Sequence, residues 1–263
     1  MTRILALFLF ATALAGCGLF PEQVDETHGW SANKLYARAK ELLTDGNYTQ
    51  AIQYFEKLEA RYPFGPYAQQ AQLEIAYAYY KDNEPLSAIA AAERFIKLHP
   101  NHPHVDYAYY LKGLANFVED RTLFSALGKQ DMSERDPRAA REAFDAFKEL
   151  ANRFPDGNYT ADAIARMRYL VNALASHEVH VARYYYKRGA YVAAANRGKQ
   201  VVERYAQTPA VEEALAIMAQ SYDRLGLTTL RDDALRVLKT NAPNSPWLAG
   251  ANPNREKAWW KFW

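Results

Sequence analysis

Six histidines, one cysteine and nineteen tyrosines are the residues of this 263-residue chain whose types and spacing could do chemistry. His99, His102 and His104 stand in HPNHPH, and His177 and His180 lie three apart, a spacing that puts both on one face of a helix. Either group would suit a metal ion if a further ligand joined it. Pro100 and Pro103 instead mark the first group as an exposed turn, no cysteine or carboxylate stands at ligand spacing, and the second pair lacks a third donor. The chain holds no glycine-rich phosphate loop, no G-x-S-x-G and no H-E-x-x-H. Its carboxylates alternate with lysine and arginine along helix faces, as solvated surfaces do. No catalytic residue, metal or cofactor is expected, and the chain does not read as an enzyme.

Cys17 could be a reactive thiol, but no partner histidine or helix N-terminus stands near it to lower its pKa. Arg3, an apolar run from Ile4 to Leu14 broken only by Thr12, and the small residues Ala15 and Gly16 form the three parts of a secretory signal over residues 1–16. The run is too short to cross ~30 Å of hydrocarbon, which takes about 20 residues. Leu14-Ala15-Gly16-Cys17 resembles the bacterial lipobox, in which the cysteine is joined to a diacylglycerol, the signal is cut before it, and the new amino group is acylated with a palmitate-type chain. The resemblance makes Cys17 the lipid attachment site, with more than the roughly two chains that stable membrane residence needs. Gly18, not Asp, follows the cysteine, which favours the periplasmic face of the outer membrane.

Removing the signal takes away only Arg3 and lowers the formal charge from +2 to +1, so no electrostatic footprint for nucleic acid remains. Hydrophobic residues make up 49% of the chain, enough at this length to bury a core without disulfides. Residues 17–30 show no helical period and read as a lipidated linker.

From Ser31 onward apolar residues recur three and four apart, the pattern of an all-α chain. Helix-stopping triplets end at Pro63, Pro100, Pro155, Ala206 and Pro243, with spacings of 37, 55, 51 and 37. Upstream of the stops come a turn (Gly46-Asn47-Tyr48, Asn83-Glu84-Pro85, Gly189-Ala190-Tyr191, Gly226), a small residue (Ala51, Ala88, Ala194), and bulky residues such as Phe55, Phe95, Phe147, Val201, Leu235 and Leu238. The small residue lets the two helices of a hairpin approach, and the bulky ones fill the gap between hairpins. This resembles the tetratricopeptide repeat and predicts a right-handed superhelix of five helix hairpins over 31–245. The excess in the 55-residue spacing falls in an inserted loop, 120–136, with Asp136 as N-cap and Pro137 at the first helical position. The excess in the 51-residue spacing falls in Tyr159 to Lys187, a stretch without Gly or Pro that predicts one long helix. The long helix divides the solenoid into N-terminal repeats, 31–119, and C-terminal repeats, 137–245, followed by an aromatic and basic tail, 246–263.

RYPFGPY (61–67), YAYYK (77–81), HPHVDY (102–107), RDPRAAREAF (135–144) and RGAYVAAANR (188–197) are not required by the repeat, and they resemble the BamD family of outer-membrane lipoproteins. The resemblance implies a non-enzymatic subunit of the β-barrel assembly machinery. It would scaffold BamA through the C-terminal half, sit with the other Bam lipoproteins, and recognise unfolded outer-membrane β-barrel proteins through the N-terminal half. A periplasmic repeat lipoprotein that coordinates peptidoglycan synthesis would share the fold and stands as the alternative.

Two sets of residues follow. In RGAYVAAANRGK, Arg188, Asn196 and Arg197 fit no structural slot of the repeat, so they are expected to be free to face BamA. Repeat positions 2, 5, 9, 12 and 13 line the concave surface of a tetratricopeptide array. They fall on Gln70, Leu73, Tyr77, Tyr80 and Lys81, then on Tyr107, Tyr110, Leu114, Phe117 and Val118. With Phe64 they form a candidate groove that is aromatic and aliphatic rather than basic.

Overall fold

Four of the turns marked in the sequence share one backbone geometry. Gly46, Asn83, Gly189 and Gly226 all have φ between 62° and 79°, and the N–H of the residue after each donates to a carbonyl five residues back, at 2.8–3.0 Å. This is the Schellman ending, which needs a left-handed residue and therefore favours glycine, with asparagine the usual substitute. Each such turn joins two antiparallel helices. The computed structural model describes residues 25–117 and 137–249, and within them the chain is all-helical. The helices are α1 (Ala32–Thr44), α2 (Tyr48–Arg61), α3 (Pro66–Lys81), α4 (Pro85–Leu98), α5 (Val105–Asn116), α6 (Pro137–Arg153), α7 (Thr160–Lys187), α8 (Tyr191–Arg204), α9 (Ala210–Arg224) and α10 (Thr228–Asn241). They pair in order as five tetratricopeptide-like hairpins. In the third hairpin, α5 and α6, the connection falls in residues 118–136. Cys17, Val118, the 120–136 insertion with Asp136, and 250–263 lie outside the described residues.

Small and large residues divide the packing as their sizes dictate. Ala51, Ala88 and Ala194 are at most 1% exposed where the helices of a hairpin cross, and Phe55, Phe95, Phe147 and Val201 are fully buried between hairpins. Two glycines mark closer approaches: a Cβ on Gly113 would stand 2.4 Å from the Phe147 ring, and one on Gly198 would stand 2.7 Å from Met218 and 2.9 Å from the Ala214 carbonyl. Leu235 differs from expectation at 37% exposure, because among the described residues no further helix packs over α10. The last core cluster, around Leu215 and Leu238, is closed instead by Trp247 and Leu248. The fold therefore runs past 246, where the sequence placed the start of a tail.

α7 is 28 residues long, about 42 Å at 1.5 Å per residue. Its first half buries Ala163 and Leu170 with Phe95, Phe147 and Leu150, and its second half buries Ala175, Val179 and Ala182 with Val201 and Ile217. One helix thus serves two cores. Among the described residues no helix is long and apolar enough to cross a membrane.

Candidate functional site

The predicted groove residues fall on α3 and α5, and the structure adds α7 as a third wall. On α3, Gln70, Glu74 and Tyr77 succeed one another at helical steps and share a face. Glu74 is the polar centre of the first two hairpins: one carboxylate oxygen accepts from Lys40 Nζ at 2.9 Å, from the Tyr36 hydroxyl at 3.3 Å and from Gln70 Nε2 at 3.3 Å. On α5, Tyr107 and Tyr110 lie against Tyr159, with ring centres 5.2 and 4.8 Å away and the second pair stacked. The Tyr110 hydroxyl donates to Asp162 Oδ2 at 2.6 Å, and Arg166 Nε donates to the same oxygen at 2.5 Å. The Arg166 guanidinium also lies 5.0 Å from the centre of the Phe117 ring, whose edges meet Phe147 and Tyr169.

Burial, then the neighbouring Glu74, pushes the Tyr36 hydroxyl up to about 12. Burial and the bond to Asp162 push Tyr110 up to about 12 as well. Tyr107 is raised further, by burial and by the facing Tyr77, Tyr159 and Glu74. These phenols therefore remain protonated across the physiological range and act as neutral donors. Burial works against ionised Asp162, but donation from Tyr110 and Arg166 outweighs it and holds its carboxyl below the usual range. The wall is a band of half-buried rings pinned by two polar centres, Glu74 and Asp162. Such a band offers ring faces, with the Tyr36 and Tyr110 protons already given to carboxylates, and no activated nucleophile.

Gln70, Tyr77, Tyr80, Tyr107, Tyr110, Leu114 and Phe117 are all half-buried along this band. Two predicted positions are not part of its surface. Leu73 is 3% exposed, because α4 and α5 close over it with Ala92, Phe95, Ala108 and Leu111. Phe64 projects from the turn between α2 and α3 at 91% exposure and makes no ring contact among the described residues. Lys81 is exposed at the end of α3.

The residues of the 188–197 segment, from the end of α7 into α8, also divide. Arg188 is exposed, with its guanidinium 5.4 Å from the centre of the Tyr184 ring, and Asn196 is exposed. Arg197 is not free as the sequence suggested: its Nη1 donates at 2.8 Å to Glu178, a carboxylate only 6% exposed on α7. Arg141 on α6 approaches the other Glu178 oxygen at 3.8 Å, so one buried acid ties α6, α7 and α8 where the two cores meet.

A family model described as an outer membrane lipoprotein family, YfiO, matches residues 29–237, from the end of the N-terminal segment to the last helix. The chain belongs to this family. Within it, the chain is 48% identical over 266 aligned positions to a Neisseria meningitidis serogroup A protein named outer membrane protein assembly factor BamD, covering all of both chains. Proteins of the same name from Xylella fastidiosa (38% over 253 positions, 96% of this chain and 86% of that one) and Vibrio cholerae (35% over 241, 92% and 97%) are also similar. The YfiO match spans every helix that walls the groove and the whole of α8.

The histidine turn holds no ligand set. His99 Nε2 lies 2.7 Å from Gln72 Oε1, and His102 sits edge-on to Phe95, where burial and then the neighbouring histidines hold its imidazole below the ordinary range. Among the described residues no group of three His, Cys, Asp or Glu could hold a metal ion. Sequence reasoning missed Tyr36, Glu74, Tyr159, Asp162, Arg166 and Glu178. Two of them carried a usable signal, since Asp162 and Arg166 stand four apart at the start of a helix and form an ion pair there.

Proposed function

We propose that this chain is anchored through acylated Cys17 at the periplasmic face of the outer membrane, where it joins BamA and other Bam lipoproteins in assembling β-barrel proteins. In this reading α8 and its surroundings hold BamA, and the groove walled by α3, α5 and α7 takes segments of unfolded barrel precursors. The observation that carries the groove assignment is the continuous band from Tyr36 and Tyr77 through Tyr107, Tyr110 and Tyr159 to Phe117. Full-length likeness to proteins named as assembly factors, a non-enzymatic role, supports the setting.

Barrel strands alternate apolar and polar residues and carry aromatic girdles. An extended strand laid on the band offers a side chain every second residue to the tyrosine faces, and a ring wherever a girdle falls. Aromatic pairs contribute about 0.5–1.5 kcal/mol each beyond area. A few of them hold a segment and still let it go.

For BamA, Arg188 at the end of α7 and Asn196 on α8 are the surface residues of the segment, while Arg197 acts by fixing α8 on α7. Arginine suits a partner carboxylate because its planar fork donates two hydrogen bonds at once. Arg188→Glu should lower BamA recovery from detergent-solubilised membranes by about fivefold, the loss of ~1 kcal/mol that separates contributing from neutral interface residues. The melting temperature should not move. Undiminished recovery, or recovery of a cell-wall synthase in place of BamA, contradicts the assignment.

A further inference from the structure

Among the described residues, the contacts that hold the chain begin nearer Cys17 than the sequence suggests. Residues 25–30, read there as linker, fold back on α2. The Asp25 carboxylate accepts from the Thr27 hydroxyl at 2.7 Å, the Thr27 N–H at 3.1 Å and Lys57 Nζ at 3.1 Å, and pairs with Arg61, which also donates to the Thr27 carbonyl. Thr27 is 2% exposed. The Tyr62 hydroxyl donates to the Trp30 carbonyl at 2.8 Å, and the Lys34 ammonium lies 4.1 Å from the centre of the Trp30 indole. The bonds from Thr27, then that from Lys57, hold the Asp25 carboxyl well below the usual range, so the clamp is ionised at neutral pH.

Resting on the reading that Cys17 carries the acyl chains, we infer that this clamp makes the Asp25 to Lys34 end of the first hairpin a lipid-facing surface, seated on the headgroup layer of the leaflet that holds the anchor. Residues 18–24 separate the anchor from Asp25, a path of at most about 29 Å when fully extended and closer to ~15 Å for a flexible chain. Without the clamp the first fixed contact would be at Ser31, the N-cap of α1, and the extended path would grow to about 50 Å. The clamp nearly halves the tether. Its end presents Trp30, half-buried against Tyr54, beside the exposed Lys34. An amphipathic indole and a lysine with an apolar stem are the side chains that settle at a membrane interface.

The test uses the acylated full chain in phosphatidylethanolamine and phosphatidylglycerol vesicles with an acceptor dye on the lipid headgroups. A donor dye is placed on a cysteine introduced at Asn33 or at Lys239, both exposed. Acylation of Cys17 leaves the introduced thiol as the only one. Energy transfer from Asn33 should exceed that from Lys239 severalfold. Asp25→Asn should cut the Asn33 transfer by about half, in line with the longer path. Inserting six Gly and Ser residues between Pro21 and Glu22, which lengthens the tether and leaves the clamp intact, should do the same, and it carries the test if Asp25→Asn lowers the melting temperature. Equal transfer from the two sites, or an Asn33 value that the insertion does not lower, overturns the inference. A chain with Cys17 intact that fails to float with vesicles overturns the anchor reading and this one together; a chain that floats without the difference overturns this one alone.

Discussion

Arg197→Glu should lower stability by about 2–4 kcal/mol, somewhat under the roughly 3–5 kcal/mol for breaking a fully buried ion pair because water screens the half-exposed Arg197. Glu178 is only 6% exposed, and Arg197 is its nearest cation, at 2.8 Å, while Arg141 stands 3.8 Å away. The substitution sets a second carboxylate against it in a place that water reaches poorly, and like charges there raise the cost above simple loss of the bond. The urea midpoint should fall at unchanged slope. Adding Glu178→Gln should recover most of the loss, because the amide removes the buried charge and keeps hydrogen-bonding capacity. A midpoint equal to wild type would mean that Arg197 is the free surface residue the sequence suggested. The effect also decides which substitution can probe BamA: an Arg197 variant mixes stability with binding, and an Arg188 variant does not.

Phe147→Ala should cost about 3–5 kcal/mol. Phe147 is fully buried in the core shared by α3, α4, α5, α6 and α7, and its ring lies against Gly113, Tyr110 and Phe117. Gly113→Ala acts on the same contact from the other side. Its Cβ would stand 2.4 Å from a ring that has nowhere to move, an overpacking cost of about 1–3 kcal/mol. The two losses should not add, since a methyl at 113 meets open space once the ring is gone. Chemical denaturation of both single variants and the double variant measures this coupling. Strict additivity would show that Gly113 is required for some reason other than closeness to Phe147.

The fold was legible because the repeat writes its punctuation in residue types. Glycine or asparagine at the left-handed turn position, alanine at the crossing and phenylalanine or leucine between hairpins are local requirements, and each is visible one segment at a time. The length of α7 was legible for the same reason, since no Gly or Pro interrupts Tyr159 to Lys187. The groove was legible as a face but not as a surface. Helical spacing put Leu73 beside Tyr77, yet how far α4 and α5 close over it depends on the packing of three helices. Arg197 failed in the same way. Its partner Glu178 lies 19 residues earlier on another helix, and nothing in the local pattern announces a buried acid. The clamp at Asp25 was hidden because Asp25, Thr27 and Trp30 have no helical period, and their partners Lys57, Arg61 and Tyr62 belong to the next helix and its end. Local signals carry elements and turns; pairings between distant elements decide which polar residues are spent on the fold.

That distinction bears on the groove. Tyr110 is bonded to Asp162 and stacked on Tyr159, so replacing it would loosen α7 as well as alter the band. Tyr77 is half-buried along the band and lies in neither polar centre, which makes it the better reporter. The most direct measurement is photo-crosslinking from a benzophenone side chain at Tyr77 in cells producing nascent barrel proteins, with Leu86, 81% exposed on α4, as the site away from the band. Adducts with unfolded barrel precursors are expected from Tyr77, several times more abundant than from Leu86 and lost as the precursors finish folding. Adducts from Tyr77 that form only within the chain, or with soluble periplasmic proteins as readily as with barrel precursors, would contradict the groove assignment.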